Sequence, residues 1–150
     1  MMIPKIPKAL VAEHQVLHAE LVKLTLQRGK VGEVARTVAT LLHPHFVKEE
    51  EFALPPLGLL LEIAEGRVGA EMKDVLPMTD KLRAELPQML AEHKLVVGAL
   101  RRLAAAAKQE KKPEAARFAE ALRLHALSEE QILYPAALLV GECIRARTGK

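Results

Sequence analysis

The segment AEHQVLHAEL (12–21) returns as AEHKLVVGAL (91–100), and HFVKEEEFALP (45–55) returns as HALSEEQILYP (125–135). The repeat pairs His14 with His93, His45 with His125, Glu49 with Glu129, Glu50 with Glu130 and Pro55 with Pro135. The offset is 79 residues in the first segment and 80 in the second. Histidine is only 6 of 150 residues, so mirrored placement of four of them is not an effect of composition. A repeat that keeps His and Glu, and not only Leu and Val, keeps chemistry. Imidazole and carboxylate are the donors of transition-metal sites.

Outward from these segments the apolar residues recur with helical period. One helix is expected from about Lys8 to Arg28, with Leu10, His14, Leu17, Leu21 and Thr25 on one stripe and Gly29 as its stop. A second runs from about Gly32 to Leu54 through Val34, Val38, Leu41, His45, Glu49 and Phe52, with a kink at Pro44. Pro55-Pro56 predicts a break, and LGLLLEIAEG a short extra helix ending at Gly66. Residues 66–79 read as a connection. A third helix is expected from Thr79, as N-cap, to about Ala107, with a possible kink at Pro87. Its stripe is Leu82, Leu86, Met89, His93, Val97, Leu100 and Ala104. Pro113 suits the first turn of a fourth, with Phe118, Ala121, His125, Glu129, Ile132 and Ala136 on one face. A short tail helix is expected over about 136–146.

The fold class that follows is all-α: an up-down-up-down four-helix bundle of two repeated helical hairpins. Its core spans about 8–136, in a single domain covering 1–150. No helix alone can bury its stripe, but four together can.

His45 and Glu49, like His125 and Glu129, are four apart and stand on one helix face. His14 and His93 lie at matched depth on the other two helices. Six polar groups in an aliphatic core are costly unless paired or metal-bound. The twofold pattern predicts two metal ions, with Glu49 and Glu129 as bridges. Four imidazoles, two carboxylates and no thiolate suit iron first, then manganese or zinc. Taken singly, each residue reads as a hydrogen-bonded core or surface group. Only the joint order H, HxxxE, H, HxxxE on four successive helices points to metal.

His18, four after His14, is a candidate fifth histidine ligand or a channel-lining residue. His43 is expected at the surface. Glu13, Glu92, Glu50 and Glu130 invite two readings, as partners of the ligands or as ion pairs between helices. The latter is favoured for Glu50 and Glu130. Tyr134 is expected half a turn off the ligand face unless Pro135 distorts the helix.

The pattern resembles the hemerythrin-like, or HHE cation-binding, domain family over about residues 8–136. The resemblance rests on the two EH pairs at His14 and His93, and on the segments 45–55 and 125–135. It implies a four-helix bundle with a non-haem di-iron centre held by His14, His45, Glu49, His93, His125 and Glu129. It also implies a small diatomic ligand, oxygen or nitric oxide, bound or sensed, or a part in iron and oxidative-stress handling. An enzyme consuming peroxide, oxygen or nitric oxide, or repairing damaged iron centres, is the alternative; a metal-free interaction module is the third. The oxygen carriers of this family have HxxxH on the third helix and HxxxxD on the fourth. Here Val97 stands for that second histidine and the fourth helix has HxxxE, which points away from reversible oxygen carriage. The repair proteins carry a cysteine-bearing N-terminal extension, whereas only 13 residues precede His14 here.

Net charge is +3, spread along the chain, and gives no sign of a nucleic-acid partner. No run of 18 apolar residues exists, so no membrane span is expected. The lone Cys143 cannot form an internal disulfide, and the N-terminus does not read as a signal peptide. A cytoplasmic location is the expectation.

Overall fold

The computed structural model describes residues 2–149. Four long helices form an up-down-up-down bundle: α1 (Lys8–Thr25), α2 (Gly29–Lys48), α4 (Leu76–Gln109) and α5 (Pro113–Ser128). A short α3 (Leu60–Ala64) and a C-terminal α6 (Tyr134–Thr148) complete the helices. α1 packs on α2, α2 on α4, α4 on α5, and α5 closes the ring on α1. The two turns inside the hairpins are short, so chain neighbours are antiparallel neighbours in space. Among the described residues no helix is long and apolar enough to cross a membrane.

Local chemistry sets the boundaries. Gly29 takes φ +79°, a left-handed conformation that suits glycine where α1 ends and α2 begins. Three residues on, a Cβ at Gly32 would meet the Gln27 carbonyl oxygen at 1.8 Å, so only glycine allows this close approach. α2 therefore starts before the expected Gly32. Its exposed first N–H groups are satisfied from the other hairpin, with Lys30 N and Val31 N donating to Glu110 at 2.7 and 3.2 Å. Both α2 and α4 continue through their internal prolines, Pro44 and Pro87.

α4 also starts earlier than expected. Thr79 is not its N-cap: the helix begins at Leu76 with Pro77 in its first turn. A 3₁₀ segment over Ala70–Val75 runs straight into it. Thr79 is instead buried, its hydroxyl donating to the Leu76 carbonyl at 3.2 Å.

The largest departure from the expected pattern occurs twice, at matched places. After α2 the chain makes a π-helical turn over Glu49–Ala53, and after α5 another over Glu129–Leu133. The Leu54 N–H reaches back five residues to the Glu49 carbonyl at 2.9 Å, and Tyr134 does the same to Glu129. A wider turn moves the next residues around the axis. The expected stripe through Ile132 is thereby corrected: Ile132 is 63% exposed, and Tyr134 takes the inward position at 1%. Ala121, also expected on the buried stripe, is exposed.

The core is interrupted across its middle. On one side lie Leu17, Leu21, Leu42, Val96 and Leu122; on the other lie Phe52, Leu54, Leu82, Met89 and Tyr134. Between these apolar layers each helix carries its polar residue: His14, His45 with Glu49, His93, or His125 with Glu129. All six are buried.

Candidate metal centre

The six side chains predicted from the repeat converge. They form two groups of four donors, each with its ligand atoms within 4.8 Å of one another. One is His14, His125, Glu49 and Glu129; the other is His45, His93, Glu49 and Glu129. Each group draws one histidine from each hairpin, and both carboxylates belong to both groups.

The carboxylates divide their oxygens between the groups. Glu49 Oε1 and Glu129 Oε2 each lie 3.7 Å from His14 Nε2. Glu49 Oε2 lies 3.3 Å from His45 Nε2, and Glu129 Oε1 lies 3.1 Å from His93 Nε2. The π turns begin at these two residues, which is where such turns commonly mark functional sites.

The imidazole nitrogens show what the cavity lacks. His45 Nδ1 donates to Glu92 at 2.8 Å, His93 Nδ1 to Glu130 at 2.7 Å, and His125 Nδ1 to Glu13. A proton held on Nδ1 leaves Nε2 as a lone pair in the neutral ring. Yet His93 Nε2 and His45 Nε2 are 2.8 Å apart, and His14 Nε2 and His125 Nε2 are 3.1 Å apart. Lone pairs converging at that distance repel unless a proton or a cation stands between them. In the His14 group, Glu49 Oε1 and Glu129 Oε2 have no hydrogen-bond partner although fully buried. Glu129 Oε2 is 2.9 Å from His125 Nε2 but off the line of a hydrogen bond. Buried polar atoms without partners are rare. Facing imidazole nitrogens and orphaned carboxylate oxygens are what a cation would satisfy, so the donor set fits a metal pair.

The charges agree. Burial and the neighbouring Glu129 carboxylate push Glu49 up to about 7. Burial would also raise Glu129, but the Glu49 carboxyl and the imidazoles of His125, His14 and His93 around it hold it well below the ordinary carboxylate range. One proton shared by two carboxylates is the expected state of such a pair with no cation beside it. His125 is pushed up to about 9: burial opposes its charge, but Glu129 and Glu13 outweigh it. His45 is raised in the same way by Glu49 and Glu92 against its burial.

Tyr134 is the residue that the helical period missed. Its hydroxyl donates to Glu49 Oε2 at 2.5 Å and lies 3.1 Å from His45 Nε2 and 3.3 Å from His93 Nε2. Burial and the two carboxylates hold its acidity far below that of an ordinary phenol, so it stays protonated. The signal was Pro135, repeated at Pro55, which hinted at an irregular turn.

His18 is not among the converging donors; it is exposed and lines a cleft between α1 and α2 with His43. It is four residues after His14, but His14 itself is at the rim of the core, 9% exposed. His43 is at the surface, as expected. Glu13, Glu92 and Glu130 bond imidazoles of the converging cluster, so Glu130 is a partner of His93 rather than of a Lys or Arg on another helix. Only Glu92 combines both roles, through Lys48 at 2.8 Å. Glu50 is exposed and makes no hydrogen bond to His14, whose ring instead stacks on Phe46 at 4.5 Å.

Residues 5–137 match the family model of the hemerythrin HHE cation binding domain. The chain belongs to that family. The match takes in both EH pairs and both HxxxE segments of this HHE domain, and it ends just past Pro135. No match was found among curated proteins or among solved structures. This HHE chain thus has a family that binds cations and a buried His/Glu cluster able to hold a metal.

Proposed function

We propose that this chain is a non-haem di-metal protein, with iron as its native metal, that binds or senses a small diatomic such as oxygen or nitric oxide. The observation that carries the reading is the paired Nε2 atoms facing each other, with carboxylates holding the Nδ1 protons of His45, His93 and His125. His14 and His125 would hold one ion, His45 and His93 the other, and Glu49 and Glu129 would bridge them. When bound, iron would supply reversible one-electron chemistry and an open position for a small ligand. The protein's own part is orientation and exclusion of water. Glu92, Glu130 and Glu13 fix three rings by holding their Nδ1 protons. The apolar layers of Leu17, Leu42 and Leu122 on one side and Leu54 and Met89 on the other keep bulk water out.

Tyr134 favours a second reading, an enzyme that consumes peroxide, oxygen or nitric oxide at the same cluster. Its hydroxyl donates to Glu49 Oε2 at 2.5 Å and stands among the donors, where it can offer a hydrogen bond to an oxygen atom of a substrate.

Elemental analysis of protein produced with iron supplied tests the shared part: about two irons per chain support it, and a chain that takes up none refutes it. An absorbance change that reverses when oxygen or nitric oxide is removed supports binding. Catalytic loss of peroxide, reduced in Tyr134→Phe, supports the enzyme.

A further inference from the structure

Two clefts on opposite sides of the bundle are related by the same repeat as the cluster. One, of about 360 Å³, lies over His14 and is lined by His18, His43, Phe46 and Glu50. The other, of about 490 Å³, lies over His93, and its matched positions are Val97, Arg123, Ala126 and Glu130. The backbone is shared but the chemistry is not. In the first cleft Phe46 stacks on His14 and fills the space. In the second the matched Ala126 offers only a methyl group, which accounts for the extra room.

Charge separates them further. The His14 cleft has one carboxylate and no Lys or Arg in its lining. The His93 cleft has three cations, Lys94, Arg101 and Arg123, against one carboxylate. Glu130 is turned toward His93 Nδ1, and Arg123 is held by Glu120 at 2.7 and 2.9 Å. Lys94 and Arg101 have no acidic partner among the described residues. The rest of the lining, beside His93 and Glu130, is apolar: Val97, Ala126 and Leu127.

We propose that the cleft over His93 binds a small organic acid, its carboxylate held by Lys94 and Arg101 and its apolar body against Val97, Ala126 and Leu127. An arginine fork suits a carboxylate, and a mostly apolar pocket with a few converging polar groups suits a compact ligand of this volume. Aliphatic walls disfavour a bare inorganic anion, which keeps its hydration. The site stands apart from the metal reading, because none of the three cations is a donor of the cluster. It does place an acid next to the Glu130 that orients His93.

Equilibrium dialysis of the full chain as isolated, with radiolabelled benzoate as probe, tests this without reference to metal. Benzoate should bind one per chain, and unlabelled benzamide, which has the same ring and no charge, should not displace it. The exposed substitutions Lys94→Glu and Arg101→Glu together should weaken binding by about tenfold or more, since each removes a charged hydrogen bond. His43→Glu, in the mate cleft, should leave it unchanged. Equal binding by the double variant and the parent chain would overturn the proposal. So would full displacement by benzamide, or displacement by inorganic phosphate as readily as by benzoate. Benzoate bound by a chain that takes up no iron would leave this site standing while the metal reading fell.

Discussion

The two halves of the cluster share both carboxylates and differ in how they are finished. Around His45 and His93 both Nδ1 protons are held, by Glu92 and Glu130, and the Tyr134 hydroxyl stands among the donors. Around His14 and His125 only His125 has such a carboxylate, Leu54 occupies the place matched to Tyr134, and two carboxylate oxygens are left without partners. The repeat has kept the six side chains that converge. It has let diverge the residues that hold protons and close the walls. Two ions in such a site would be bound by like donors yet meet unlike surroundings.

The largest effect should come from the residues that the halves share. Glu49→Ala or Glu129→Ala should take iron from about two per chain to below one, because each carboxylate gives one oxygen to each group. His14→Ala should cost mainly the ion of its own half. Elemental analysis of the purified variants reads this directly. A Glu49→Ala chain that keeps one tightly held iron would show that the halves are independent and the bridge unnecessary.

The proton should set the two forms of the protein in opposition. In the metal-free chain His125 is raised from its ordinary 6.5 to about 9, so the folded state binds its proton more tightly than the unfolded chain does. That contribution to stability is complete below about pH 6.5 and is lost as pH rises through about 9. Melting of metal-free protein between pH 6 and 10 should show the decline, and Glu13→Gln should reduce it. In the loaded protein the same proton competes with the metal, so melting temperature should instead fall toward acid pH. Identical pH profiles with and without metal would break this contrast.

Leu54 and Tyr134 are the matched pair on which the asymmetry rests. Leu54→Ala opens a cavity in a fully buried layer and should destabilise by about 2–5 kcal/mol, equally with and without metal. Tyr134→Phe leaves Glu49 Oε2 without its donor and should cost about 1–3 kcal/mol in the metal-free protein. Loaded protein should lose much less, since a bridging ion would satisfy the same oxygen. Chemical denaturation of both variants in both states separates packing from polar satisfaction.

Most of the bundle and all six converging side chains were legible because both depend on period and repetition, which a sequence displays. His14, His45, His93 and His125 stand on the expected stripes, four residues or one turn from apolar neighbours. What was not legible depends on a change of period. The π turns after Glu49 and Glu129 add a residue to one turn, which turns Ile132 outward and Tyr134 inward. Spacing counted at 3.6 residues per turn cannot register that, and only the repeated Pro55 and Pro135 pointed toward it. His18 failed for a different reason. The buried line of α1 runs through His14, Leu17, Leu21 and Leu24, and His18 stands one position around the helix from Leu17, outside that line.

The smallest effects should come from the outermost contrast, Glu130 against Glu50. These residues are equivalent by the repeat and directly follow Glu49 and Glu129. Glu130 holds His93 Nδ1 at 2.7 Å, while Glu50 leaves His14 to stack on Phe46. A carboxylate on a ligand's far nitrogen raises its basicity and fixes its ring, and its loss weakens metal binding by about 10–100-fold. Glu130→Gln should therefore lower affinity for one of the two ions within that range, measured by competition with a chelator of known strength. Glu50→Gln and His18→Ala should change neither ion measurably. Equal weakening by Glu50→Gln and Glu130→Gln would mean that Glu50 swings onto His14 once metal is bound, and the two halves would then be more alike than their metal-free geometry.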